Sequence, residues 1–95
     1  MMFIERIKQL REERQMPQRM LAAALEIDTA TYCKIEKGER RVKREQLLII
    51  AKLLNADEKE LLIFWLADQT IDIVKDEKEL VEKVFKTAKN KMDNN

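Results

Sequence analysis

Apolar residues recur at three- and four-residue intervals along most of the chain, and this spacing predicts a succession of amphipathic helices. Phe3, Ile4, Ile7 and Leu10 give a first helix over about residues 3–14. Pro17 suits a first helical turn, and Leu21, Ala22 and Leu25 then face inward from a short second helix over 17–25. Asp28 is placed to cap a third helix, about 29–36, with Tyr32 and Ile35 sharing its core face. Gly38 follows where a left-handed residue ends such a helix. Leu47, Ile50, Ala51 and Leu54 mark a fourth helix within REQLLIIAKLL. Asp57 and Glu60 resemble a capping box that opens a fifth, running through LLIFWLADQ and as far as Val74. A last helix over 77–91 puts Val81, Val84, Phe85 and Ala88 on one face, and the polar end NKMDNN is expected to fray.

Composition supports an all-α reading, because one glycine and one proline leave hairpins little to turn on. Ninety-five residues suffice for one domain with a modest core, and the 45% hydrophobic and 39% charged balance fits a folded chain with no membrane partner. No apolar run approaches the roughly 18 to 20 residues that span a bilayer, and the opening MMFIERIKQLREERQ lacks a signal peptide's apolar stretch. A cytoplasmic location is expected. Cys33 is the only cysteine and histidine is absent, so no disulfide, metal site or cofactor is expected. Lack of histidine also removes the commonest general base near neutral pH, and catalysis is set aside.

Net charge is +1 overall but unevenly divided. Residues 1–54 hold 12 Lys and Arg against 8 Asp and Glu, net +4, while residues 55–95 hold 7 against 10, net −3. The basic part is the candidate for a polyanion. Its two short helices, 17–25 and 29–36, lie about three residues apart and must cross steeply, which is helix-turn-helix spacing. With Tyr32 and Ile35 inward, the opposite face carries Ala30, Cys33, Lys34 and Lys37, with Thr29 beside them. Lys34 can donate to guanine O6 or N7, and the methyls of Thr29 and Ala30 can meet a thymine methyl. Lys37, Arg40, Arg41, Lys43 and Arg44 crowd the following loop, where they would lie beside phosphates, diluted by Glu36 and Glu39.

The segment QRMLAAALEIDTATYCKIEKGER resembles the helix-turn-helix of the phage Cro and repressor family, also called the xenobiotic response element family. The likeness rests on Gln18, Leu21, Ala22, Ile27, Tyr32, Ile35 and the run I-E-K-G at 35–38, and covers roughly residues 3–66. It implies a compact five-helix domain of the lambda-repressor type, here with an additional C-terminal helix. It implies that Gln18 contacts a phosphate and the start of the recognition helix, and that Thr29, Ala30, Cys33 and Lys34 face bases. It further implies a structural ion pair between Arg11 and Glu36. Two positions depart from the pattern: Glu26 stands where glycine is common in the turn, and Val42 where proline is common in the loop.

The chain therefore divides into a helix-turn-helix domain over residues 1–66 and a helical extension over 67–95, for dimerisation or core capping. One helix-turn-helix contacts few base pairs, so a homodimer on double-stranded DNA is expected. Phe64 and Trp65 are candidate interface anchors, or else close the core over the first and fourth helices. Val81 and Phe85 would add a second seam unless the last helix folds back over the fifth. A transcriptional regulator, repressing or autoregulatory, is the leading reading. An antitoxin or other protein-binding module, with DNA binding secondary, is the alternative.

Overall fold

The computed structural model describes all residues, Met1–Asn95, as six helices without a strand. They are α1 (Met2–Glu13), α2 (Gln18–Ala24), α3 (Thr29–Glu36), α4 (Arg44–Leu53), α5 (Glu58–Val74) and α6 (Val81–Asp93). The first five surround one core, built from Phe3, Ile4, Ile7 and Leu10 of α1, Leu21 and Ala22 of α2, Tyr32 and Ile35 of α3, Leu47, Ile50 and Ala51 of α4 and Leu61 of α5. α2 packs most extensively on α3, α1 packs on α5 and α3, and α4 packs on α5 and α2. This is an all-α helix-turn-helix fold.

Helices α1 to α4 end alike, each with a left-handed residue and a paired set of backbone hydrogen bonds. After α3, Gly38 (φ 78°) donates to Ile35 O at 3.0 Å, and Glu39 N donates to Lys34 O at 2.9 Å. These are the two bonds of the Schellman motif, which satisfy carbonyls left free at a helix end. Gln15 (φ 54°), Glu26 (φ 58°) and Asn55 (φ 50°) do the same after α1, α2 and α4. The lone glycine cannot serve four such positions, so three side chains accept the left-handed strain. Asn tolerates this conformation, whereas Gln15 and Glu26 do not readily. Glu26→Gly is expected to raise stability by about 1 kcal/mol, shifting the thermal midpoint up by roughly 4 to 8 °C. Thermal denaturation followed by circular dichroism measures it.

Five local expectations are corrected. Pro17 sits at the N-cap of α2 with ψ 154°, outside the helix, because its ring fixes φ and leaves ψ free to be extended. Only half of the Asp57 capping box forms: Asp57 Oδ1 accepts from Lys59 N and Glu60 N, while the Glu60 carboxylate turns to Arg6 Nε at 2.7 Å. The last helix starts at Val81 rather than 77, because Glu77 N and Leu80 N close short turns onto Val74 O and Glu77 O. It then continues to Asp93 instead of fraying through NKMDNN, its backbone ladder intact over residues compatible with helix. α6 also does not fold back over α5, and none of its residues is buried.

An unexpected contact fixes the start of α1. The carboxylate of Asp68, buried in α5, accepts from Met2 N and Phe3 N at 3.0 Å each. Met1, the N-cap residue, has no side-chain cap to offer, so a residue 66 positions away supplies it. A carboxylate at a helix N-terminus satisfies free amides and opposes the helix dipole. Asp68→Ala is expected to cost about 2 kcal/mol, read as a lower urea midpoint at unchanged slope.

Candidate nucleic-acid interface

The residues between α2 and α3 are Leu25, Glu26, Ile27 and Asp28, short enough that the two helices cross rather than run side by side. Ile27 closes the turn by donating from its backbone to Ala22 O, and its side chain packs on the core. Asp28 then caps α3, its Oδ1 accepting from Thr31 N at 2.7 Å, and this bond holds the Asp28 carboxyl below its ordinary pKa. α3 buries Tyr32 and Ile35 and turns Thr29, Ala30 and Lys34 to the outside.

The far end of α3 is locked to α1 by a buried ion pair. Arg11 Nε donates to Glu36 Oε2 at 2.7 Å and Nη2 to Oε1 at 3.0 Å, while Nη1 donates to Met16 O at 2.9 Å. Side-chain exposure is only 12% for Arg11 and 4% for Glu36, so this is a desolvated, bidentate pair. Burial by itself would raise the Glu36 carboxyl pKa, but hydrogen bonds from Arg11 and Gln18, the nearby Tyr32 hydroxyl and the guanidinium charge outweigh it and hold the carboxyl below its usual range. The Glu36 hydrogen bond in turn raises the Arg11 pKa. Tyr32 borders the same cluster with its hydroxyl buried and unpartnered, and burial pushes its ionisation far above the ordinary phenol value.

Gln18 belongs to this cluster. Its Nε2 donates to Glu36 Oε1 at 3.0 Å and its Oε1 accepts from Cys33 Sγ at 2.9 Å. The family resemblance implies contact with the start of the recognition helix; the structure instead sets Gln18 against the middle and end of α3. Glu36 Oε1 retains acceptor capacity beside its Arg11 bond, and the amide of Gln18 fills it. Cys33 is half-buried, its thiol engaged with Gln18.

The loop cations are arranged unevenly. Lys34, Lys37, Arg40, Lys43 and Arg44 are exposed and make no ion pair. Arg41 is exposed but its Nη2 donates to Asp72 Oδ2 of α5 at 2.7 Å. Of the two acids that dilute this patch, Glu36 is withdrawn into the ion pair and Glu39 stays exposed. Val42, where proline was common in the resembled family, is buried, and its carbonyl accepts from Trp65 Nε1 at 2.9 Å, which pins the loop to α5. Five cations without partners therefore stand on and just after the outward face of a helix whose position is fixed at both ends. Such an array attracts a polyanion and releases its counterions.

The comparisons with known proteins bear on this same region: residues 4–62 match the family model described as helix-turn-helix domain. The chain belongs to the helix-turn-helix domain family. It is thus a helix-turn-helix DNA-binding protein, and the matched segment runs from α1 into α5, enclosing α2, α3 and the basic loop. Searches of curated proteins and of solved structures gave no match. In this helix-turn-helix protein no helix is long and apolar enough to cross a membrane, and no group of three His, Cys, Asp or Glu side chains could hold a metal ion.

The remaining candidates lie away from that face. Phe64 and Trp65 are half-buried and pack against the core of their own helix-turn-helix domain. The exposed members of the α5 apolar run are Ile63 and Leu66, followed by Ile71 and Ile73. On α6, Val81 is half-buried and Phe85 is 42% exposed. Sequence reasoning missed Asp68, Asp72 and the thiol-to-amide link of Cys33 to Gln18. Asp68 carried a signal, as a charged residue inside the otherwise apolar run LLIFWLAD.

Proposed function

We propose that this helix-turn-helix protein is a sequence-specific transcriptional regulator of the Cro and repressor type, acting as a homodimer to repress transcription or autoregulate its own. The observation that carries the reading is the exposed face of α3 flanked by five unpaired cations, on a helix held rigidly by the Arg11–Glu36 pair. α3 enters the major groove. Lys34 donates to guanine, Thr29 hydrogen-bonds to a base edge, and Ala30 supplies a methyl for apolar contact. Cys33 contributes at the edge of this face and holds Gln18, which reaches a neighbouring phosphate. Lys37, Arg40, Lys43 and Arg44 bind the backbone, and Arg41 joins them by exchanging Asp72 for a phosphate.

Residues 1–66 carry DNA binding and residues 67–95 serve dimerisation, with α5 as the continuous helix joining the two. Val81 and Phe85 present the dimer surface, while Phe64 and Trp65 hold α5 to the domain core. A regulator of this kind suits a cytoplasmic location. Selection from random duplexes followed by footprinting tests this reading. It predicts a site of two inverted half-sites about one helical turn, roughly 34 Å, apart. Recovery of no enriched sequence would refute it. The exposed apolar residues of α5 and α6 also suit an unrelated protein partner, as in an antitoxin. Stoichiometric co-purification of a second protein, with no enriched duplex, would favour that reading.

A further inference from the structure

α6 is amphipathic, buries none of its residues and packs extensively on no other helix. Val81, Phe85, Ala88 and Met92 recur at four- and three-residue steps and form one stripe about 16 Å long, while Phe85 and Met92 remain 42% and 75% exposed. An exposed apolar stripe of this kind on a helix with no buried residue marks an interaction surface.

We propose that α6 pairs antiparallel with α6 of a second copy across a two-fold axis, an inference that rests on the homodimer reading above. The stripe is complementary to itself in this direction. Val81 meets Met92 of the second copy, and Phe85 meets its Ala88, so the largest side chain faces the smallest at both central positions. In a parallel pair Phe85 would face its own copy and Ala88 would face alanine, leaving one layer overfilled and the next empty. Charge selects the same direction. Taking the stripe as the seam, Glu82 and Lys89 are seven residues apart on the same flank, Glu82 in the first turn and Lys89 near the other end. Antiparallel pairing sets Glu82 against Lys89 of the second copy twice, once on each side of the axis. Within the single chain Lys89 Nζ contacts Asp93 Oδ2 at 3.1 Å, with side chains 77% and 61% exposed, an ion pair weak enough to exchange. The six residues 75–80 between α5 and α6 let the seam form without moving the helix-turn-helix core.

Sedimentation equilibrium on the full chain, with disulfide trapping in a Cys33→Ser background, tests the proposal. Glu82→Lys is expected to weaken dimerisation about tenfold through two repulsive contacts, and Glu82→Lys with Lys89→Glu to restore it. Phe85→Asp is expected to leave a monomer with an unchanged far-ultraviolet spectrum, since the position is exposed and lies outside the core. A chain carrying only Val81→Cys should cross-link to a chain carrying only Met92→Cys, and neither should cross-link efficiently to itself. Self-linking of the Val81→Cys chain would overturn antiparallel pairing. A wild-type dimer indifferent to Glu82→Lys and Phe85→Asp would overturn the α6 seam while leaving the homodimer intact. A wild-type chain monomeric up to several hundred micromolar would overturn both.

Discussion

Arg11→Ala is expected to lower stability by about 3 to 5 kcal/mol, which for a domain of this size takes the thermal midpoint down by about 20 °C or leaves the chain largely unfolded. The size of the effect follows from burial. Removing the guanidinium leaves Glu36, 4% exposed, as an uncompensated charge, and also frees the Met16 carbonyl and the hold on the end of α3. Glu36→Gln is milder, because a neutral amide can still accept from Arg11 and Gln18. Its diagnostic is pH. The Glu36 carboxyl is held below its ordinary value near 4.5 in the folded protein. Its contribution to stability is therefore fully present above that value and lost as the pH falls through the depressed folded value. Urea midpoints between pH 3 and pH 7 should show this loss in the wild type, and Glu36→Gln should remove that part of the acid-side slope.

The second large effect is on binding. Replacing Lys37, Arg40 and Arg44 together by alanine is expected to weaken binding to every duplex by about a hundredfold per bound subunit at 0.15 M salt, with the salt slope falling by about 2.7 per subunit, or about 5.4 for the homodimer. Three phosphates lost per subunit at a slope of about 0.9 each give these figures. Because the three side chains are exposed and unpaired, the thermal midpoint should stay nearly unchanged, which separates this outcome from Arg11→Ala. Arg41→Ala should lose less, since its guanidinium already has Asp72 as a partner and must exchange it. Salt titrations of anisotropy on one specific and one scrambled duplex measure both effects.

The helical core was legible because its signals are local and periodic. Tyr32 and Ile35 fall one turn apart, Leu47, Ile50, Ala51 and Leu54 mark one stripe, and Asp28 and Gly38 bracket α3 with a cap at each end. The four helix ends were legible only where glycine marked them. Gln15 and Glu26 take left-handed conformations for which their side chains are poor choices, and only the closed backbone bonds reveal that tertiary packing overrides the preference. Long-range polar contacts were hidden for a different reason. Asp68 caps a helix 66 positions away, and Arg41 pairs with Asp72 31 positions away, distances that no periodicity encodes. Gln18 illustrates the intermediate case: its position beside α3 follows from the two-helix unit, but which end of α3 it meets depends on the acceptor that Glu36 leaves free. The late start of α6 turned on two short backbone turns within KDEKEL, a segment whose composition suits helix and turn equally.

Whether α3 reads base edges from a scaffold fixed by the buried ion pair is decided by the Lys34→Ala variant. Fluorescence anisotropy of the full chain would be measured on a selected duplex and on its scrambled counterpart at matched salt, with circular dichroism confirming the fold. The wild type is expected to give a selected-to-scrambled affinity ratio of at least about a hundred. Lys34→Ala should reduce that ratio about tenfold or more while changing scrambled-duplex binding only by the loss of one charge per subunit. An unchanged ratio in the variant, or equal binding of both duplexes by the wild type, would contradict base reading by α3.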